Sequence, residues 1–150
     1  MRRVPDDIEV PLLPVEAGAM TPGRDPVVVV AAVIERNGRF LMTQRLQGTH
    51  LPGLWEFPGG KCEPGESHEA CLQRELNEEL GVTGEIGPEI IVTEHAYPER
   101  IVRLHFRRCA IDGEPQARLG QAMRWVTRDE LRTLPLPEAD KALVEILLAG

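Results

Sequence analysis

Residues 60–82 read GKCEPGESHEACLQRELNEELGV, and this stretch decides the fold. Ser67 is placed to cap a helix and Gly81 to end one, which leaves about thirteen helical residues between them. On that helix Leu72, Leu76 and Leu80 recur at i, i+4 and i+8 and make a stripe suited to a core. Glu75, Glu78 and Glu79 stand at i, i+3 and i+4 on a neighbouring face. Like charges so placed repel each other by roughly a few tenths of a kcal/mol per pair. A divalent cation among them turns that repulsion into attraction. Mg²⁺ suits the arrangement because it takes hard oxygen ligands and keeps waters that substrate phosphates can replace. Gly59-Gly60 lets the backbone approach closely, and Arg74 can hold a neighbouring carboxylate in place.

A solvated helix face is the ordinary reading of three clustered glutamates. The whole pattern is more demanding: Gly60, Glu66, Arg74-Glu75-Leu76, Glu78-Glu79 and Gly81-Val82 at fixed spacing. With average composition it arises by chance on the order of 10⁻⁷ or less in a chain of this size.

Outward from this segment, residues 27–35 and 39–45 read as a hairpin turned at Asn37-Gly38. A loop follows at 46–55, then a short strand that runs into the turn Pro58-Gly59-Gly60. Two longer strands are expected near 85–95 and 100–111, and another at 122–126. Thr127 can cap a short helix over 128–132, and an amphipathic helix closes the chain from about 138 to 148. This order predicts an α/β fold, a mixed β-sheet sandwiched between α-helices. Residues 1–26 carry five prolines without periodicity and read as an extended N-terminal arm, with 27–150 as the domain proper.

The 150 residues are 42% hydrophobic and 27% charged, the balance of one folded domain. The apolar run over 27–34 is far too short for a membrane span. A net charge of −7 argues against binding a nucleic-acid polymer, but not against a phosphate substrate reached through a metal. Three cysteines without a Cys-x-x-Cys pair predict neither a disulfide framework nor a zinc site, and a cytoplasmic setting fits. The four histidines are scattered and read as surface or core residues.

The segment over 60–82 resembles the Nudix box at every specified position, and the resemblance extends over roughly residues 27–149. The run Trp55-Glu56-Phe57-Pro58-Gly59-Gly60-Lys61 with Glu63-Pro64-Gly65-Glu66 is similar to the MutT branch, whose members hydrolyse nucleoside triphosphates, often oxidised ones. The resemblance implies the Nudix fold with its loop-helix-loop, and Mg²⁺ (or Mn²⁺) held by Glu75, Glu78 and Glu79 with a carbonyl of Gly59 or Gly60. It implies that Arg74 orients these ligands, that Glu66 supports the loop, and that water attacks Pβ to give a nucleoside monophosphate and pyrophosphate. Such an enzyme cleans the nucleotide pool and so serves DNA repair, acting as a monomer or homodimer. One position departs from the pattern. Leu119 stands where the branch usually places a further glutamate, which leaves the general base open among Glu114, Gln121 and the box glutamates.

Further positions bear on the substrate. Arg45 resembles the arginine that contacts phosphate. Arg100, in Tyr97-Pro98-Glu99-Arg100, resembles the one that approaches the base. Phe57 and Trp55 flank the glycine turn, and either is a candidate for stacking on a base or for core packing. Asp140 stands where MutT carries an asparagine that reads 8-oxoguanine. An amide donates and accepts, an ionised aspartate only accepts, and a protonated aspartate does both if its pKa is raised. An oxidised purine triphosphate such as 8-oxo-dGTP is therefore the first expectation, and CTP or a modified dCTP the second. ADP-ribose and dinucleoside polyphosphates are disfavoured by the Trp-Glu-Phe-Pro-Gly-Gly-Lys context. A non-catalytic ligand-sensing module is disfavoured because every box glutamate is present.

Overall fold

The computed structural model describes residues 26–47, 52–98 and 100–149. The arm expected over 1–26 lies, but for its last residue, outside them. In chain order the elements are β1 (Val27–Arg36), β2 (Arg39–Gln44), β3 (Trp55–Glu56), β4 (Gly59–Lys61), α1 (His68–Leu80), β5 (Thr83–Tyr97), β6 (Arg100–Asp112), β7 (Met123–Thr127), α2 (Arg128–Leu131), a 3₁₀ turn (Glu138–Asp140) and α3 (Lys141–Ala149).

The strands form one mixed sheet in the order β3-β2-β1-β6-β5, with β4 also on β1 and β7 also on β2. β1 runs parallel to β6, from Val27 opposite Val102 to Ile34 opposite Cys109. All other pairings are antiparallel. The apolar run of β1 is continuous because both of its faces are covered. Val30, Ala32 and Ile34 pack beneath Leu72, Leu76 and Leu80 of α1. Ala31 and Val33 pack on the other face with Phe40, Phe106, Leu131 of α2 and Leu143, Val144 and Leu147 of α3.

Local chemistry sets the ends of the elements. Asn37 and Gly38 both take positive φ, 55° and 76°, as the tight hairpin turn requires. The Ser67 hydroxyl accepts the Ala70 N–H at 3.0 Å, and Gly81 takes φ 68°, so α1 spans thirteen residues between them. Thr127 and Glu130 form a reciprocal capping box on α2. The last helix departs slightly from expectation. It begins as the 3₁₀ turn after Pro137, whose side chain offers no cap, and becomes α-helical only at Lys141.

One expectation is overturned. Cys62 and Cys71, read from sequence as unpaired, are joined as a disulfide across Cα atoms 5.3 Å apart, while Cys109 is buried and free. The loop after β4 doubles back to start α1, and only that return brings the two together. No helix among the described residues is long and apolar enough to cross a membrane.

Gly59 fixes how β4 meets β1. A Cβ on Gly59 would stand 2.0 Å from the Val30 carbonyl oxygen and 2.7 Å from the Ala31 Cα. Both neighbours are backbone of the central strand and have nowhere to move. Gly59→Ala is expected to destabilise the protein by about 2 kcal/mol or more, read as a lower urea midpoint at unchanged m value. An unchanged midpoint would mean that β4 does not press on β1.

Candidate active site

The loop between β4 and α1 is folded onto the helix by one side chain. Arg74 Nε and Nη2 each lie 2.8 Å from an oxygen of Glu66, a two-pronged pairing. Nη1 donates to Glu75 Oε2 at 2.9 Å and lies 3.6 Å from Glu78 Oε1. Nη2 also donates to the Lys61 carbonyl at 3.1 Å, which reaches back to β4. The hydrogen bonds to Glu66 above all, and the charges of Glu75 and Glu66, push the guanidinium pKa further upward. Glu66 completes the loop by accepting the Glu63 N–H at 2.9 Å.

The carboxyl groups of Glu75 and Glu79 meet beside the turn between β3 and β4. Glu75 is fully buried. Glu79 shares a hydrogen bond with Glu75 and another with the Gly59 backbone. Burial raises the Glu79 pKa well above the usual carboxylate range, and the charges of Glu75 and then Glu56 raise it further. Three acids crowded in this way favour either a shared proton or a divalent cation. The donors are hard oxygens, and those of Glu75, Glu78 and Glu79 therefore fit Mg²⁺ or Mn²⁺. Gly60 pairs with Val30 in the ladder between β4 and β1, one residue beyond the glycine that meets Glu79.

A second group of polar side chains adjoins the first through Glu56. Arg45 is buried at the end of β2 and donates to Glu56 Oε1 at 3.1 Å. Burial raises the Glu56 pKa, and Arg45 opposes the rise. Asp140, only 4% exposed, has its pKa raised well above the aspartate range, first by burial and then by the charge of Glu56, again against Arg45. Tyr97 has its pKa raised by burial and by Asp140. Arg100 faces Tyr97 across the β5–β6 pair, and its Nε is buried without a hydrogen-bond partner among the described residues.

Other expected residues stand elsewhere. Phe57 is 3% exposed and packs edge-on against Phe106 with ring centres 6.0 Å apart, so its ring is part of the core rather than a face open to a base. Glu114 is almost fully exposed and pairs with Arg36 at 3.3 Å. Gln121 donates to the Glu79 carbonyl at 3.1 Å and accepts the Leu119 N–H at 2.9 Å. Its amide thus ties the 113–122 loop to the end of α1, with both of its polar atoms engaged. Glu56 was not singled out from sequence. Its signal was a lone acid between two aromatics in a strand, with Trp55 and Phe57 turned into the core.

The chain resembles known proteins over most of its length. A family model described as the NUDIX domain matches residues 29–145. The chain is 40% identical over 124 residues to the CTP pyrophosphohydrolase of Escherichia coli K12, an alignment that covers 82% of this chain and 92% of that one. It is 37% identical over 126 residues to the 8-oxo-dGTP diphosphatase of Haemophilus influenzae, covering 81% and 92%. The solution structure of the E. coli ORF135 protein superposes with a TM-score of 0.78 at 38% identity, covering 87% of this chain and 94% of that one.

The buried Asp140 carboxyl makes stability depend on pH. Its folded pKa lies above its ordinary value of 3.8, so between the two the folded state holds the proton that the unfolded state has lost. Stability therefore falls as pH rises from about 4 through the folded pKa. Asp140→Asn keeps the shape and removes the ionisation. The variant is expected to gain stability over wild type at pH 8 and not at pH 4, measured as thermal midpoints. An equal difference at both pH values would show that Asp140 does not hold its proton.

Proposed function

This chain belongs to the Nudix family of hydrolases, and on that premise we propose that it is a divalent-metal-dependent nucleoside triphosphate pyrophosphohydrolase. Its first substrate class is oxidised purine nucleotides such as 8-oxo-dGTP. Water displaces the nucleoside monophosphate from Pβ and pyrophosphate is released. The bond between water oxygen and Pβ forms, and the bridging oxygen leaves with Pα, so no protein nucleophile is needed.

Glu75, Glu78 and Glu79 are the residues proposed to hold the metal. When bound, it neutralises phosphate charge and lowers the pKa of water. Arg74 contributes by fixing Glu75 and Glu66, and hence the loop. Arg45 brings a buried positive charge beside the carboxyl groups, suited to a phosphate oxygen. With Glu114 on Arg36 and Gln121 engaged by backbone, the general base is drawn from Glu56, Glu75, Glu78 and Glu79.

The observation that carries the substrate reading is the burial of Asp140 with its pKa raised. A protonated carboxyl presents one donor and one acceptor side by side. The N7–H and O6 edge of 8-oxoguanine offers the complement. The corresponding edge of guanine offers two acceptors. Cytosine, with N4–H beside an acceptor nitrogen, also matches. The relative described as a CTP pyrophosphohydrolase supports CTP as the second reading.

Metal dependence, glutamate variants and substrate choice test this. Pyrophosphate release from a nucleoside triphosphate is expected with Mg²⁺ or Mn²⁺ and not in EDTA. Glu78→Gln and Glu79→Gln should each lower kcat by roughly 10²-fold or more at saturating metal. Wild-type turnover by Glu79→Gln would remove that residue from the site. For the base, Asp140→Leu should lower kcat/KM for 8-oxo-dGTP about tenfold or more beyond its effect on dGTP, since a good base contact is worth ~1–3 kcal/mol. A uniform loss would mean that Asp140 only supports the fold. A higher wild-type kcat/KM for CTP than for 8-oxo-dGTP would favour the second reading.

A further inference from the structure

At the opposite end of α1 from the box glutamates, three side chains from three elements meet. His68 opens α1, His105 lies on the face of β6 that α1 covers, and Glu89 comes from β5. Their ligand atoms all lie within 4.8 Å of one another. The two imidazole centres are 4.2 Å apart, and His105 Nδ1 stands 2.6 Å from Glu89 Oε1. The antiparallel register of β5 and β6 slips on either side of Glu89, between Ile86 and Glu89 and between Glu89 and Ile91. Such irregularities re-aim a side chain, and here the carboxylate is aimed along the sheet at His105.

We infer that His68, His105 and Glu89 form a second cation site, selective for a transition metal of the imidazole-preferring class such as Zn²⁺. Two nitrogens and one carboxylate oxygen are the donor set such ions take, whereas Mg²⁺ prefers all-oxygen shells. A tetrahedral ion with bonds of about 2.0–2.1 Å spaces its ligands about 3.4 Å apart, so small side-chain rotations close the group around it. The fourth position is left to water or to Glu69, which follows His68 and is well exposed.

The surroundings are compatible with a cation. Among the described residues, Arg107 is the positive side chain placed against the group. It is engaged by the Gly87 carbonyl at 2.9 Å and by Glu69 at 3.5 Å. Burial, then His105 and Arg107, lower the His68 pKa, against Glu89 and Glu69, and a neutral imidazole has its lone pair available. The other cluster of this kind among the described residues is Cys62, Glu66 and Cys71. It is a poor rival because its sulfurs are bonded to each other and Glu66 is held by Arg74.

The site lies about 10–16 Å along the helix axis from Glu75, Glu78 and Glu79, at 1.5 Å per residue. It would pin the first turn of α1 to β5 and β6. The helix that presents the catalytic carboxylates would then be anchored at both ends, by metal at the start and by Gln121 at the finish.

The test uses the full chain, stripped with EDTA, dialysed and kept without reductant. Excess Mg²⁺ is added to occupy the carboxylates, and Zn²⁺ is titrated by calorimetry and by NMR of the imidazole resonances. One Zn²⁺ should bind with a micromolar dissociation constant, and the His68 and His105 signals should shift together while His95 stays in place. His68→Ala and His105→Ala should each weaken binding at least tenfold, and Glu89→Gln severalfold, in proteins whose circular dichroism matches wild type. Glu89→Gln and His68→Ala alter partly exposed positions and serve if His105→Ala fails to fold. Imidazole signals unmoved at 1 mM Zn²⁺, or Zn²⁺ binding unchanged in the histidine variants, would overturn the proposal. Neither result bears on Mg²⁺-dependent hydrolysis, which is read separately.

Discussion

The structure depends on the Arg74 guanidinium. It joins the loop carboxylate Glu66, the helix carboxylates Glu75 and Glu78 and the Lys61 carbonyl of β4 into one unit. Lys61 lies on β4, Glu66 in the loop, and Glu75 and Glu78 on α1 beside Arg74 itself. A planar fork with five donors suits this role, and a lysine could not reproduce it. Because the loop and helix are locked together, the box glutamates keep their positions before any ligand arrives. That is the preorganisation an electrostatic site requires.

A second constraint follows from burial. Glu56, Glu79 and Asp140 all have raised pKa values, and burial leads the causes in each case. In a protein with net charge −7, such a concentration of acids, Asp140 buried and Glu56 and Glu79 partly so, is unfavourable unless something positive enters. Arg45 offsets part of it by pairing with Glu56. The rest favours the metal proposed at one end of the group and a protonated Asp140 at the other. Glu56 lies between the two and couples them, since its charge raises both Glu79 and Asp140. The proposed metal binding beside Glu79 and the proton held at Asp140 would thus be parts of a single electrostatic system.

Stability and chemistry also share the β3–β4 turn. Gly59 presses on Val30 and Ala31 of the central strand while its backbone meets the Glu79 carboxyl. The same residue is thus a close packing contact of the central strand and a backbone partner of the Glu79 carboxyl. The aromatics on either side of Glu56 do similar work. Trp55 and Phe57 turn into the core, and strand alternation then leaves Glu56 facing the acids. A candidate for stacking on a base instead holds the acidic side chain beside it in position.

The sequence by itself determined whatever depends on neighbours along the chain. Turn, cap and period are local, so the Asn37-Gly38 hairpin, the helix from Ser67 to Gly81 and the shared face of its glutamates were legible from residue type and spacing. The box pattern itself was legible for the same reason, while the metal ligands it implies belong to the proposed function. Only the tertiary structure decided what depends on strand register and on how loops return. It paired Cys62 with Cys71, sent Phe57 into the core and Glu114 to Arg36, engaged Gln121 with the end of α1, and brought Glu56 to Glu79 and Asp140. It also brought His68, Glu89 and His105 together from positions that look scattered in sequence. The physical reason is that burial and Coulomb forces act through space: a side chain's pKa, partner and exposure are set by residues dozens of positions away, and spacing along the chain carries no record of them.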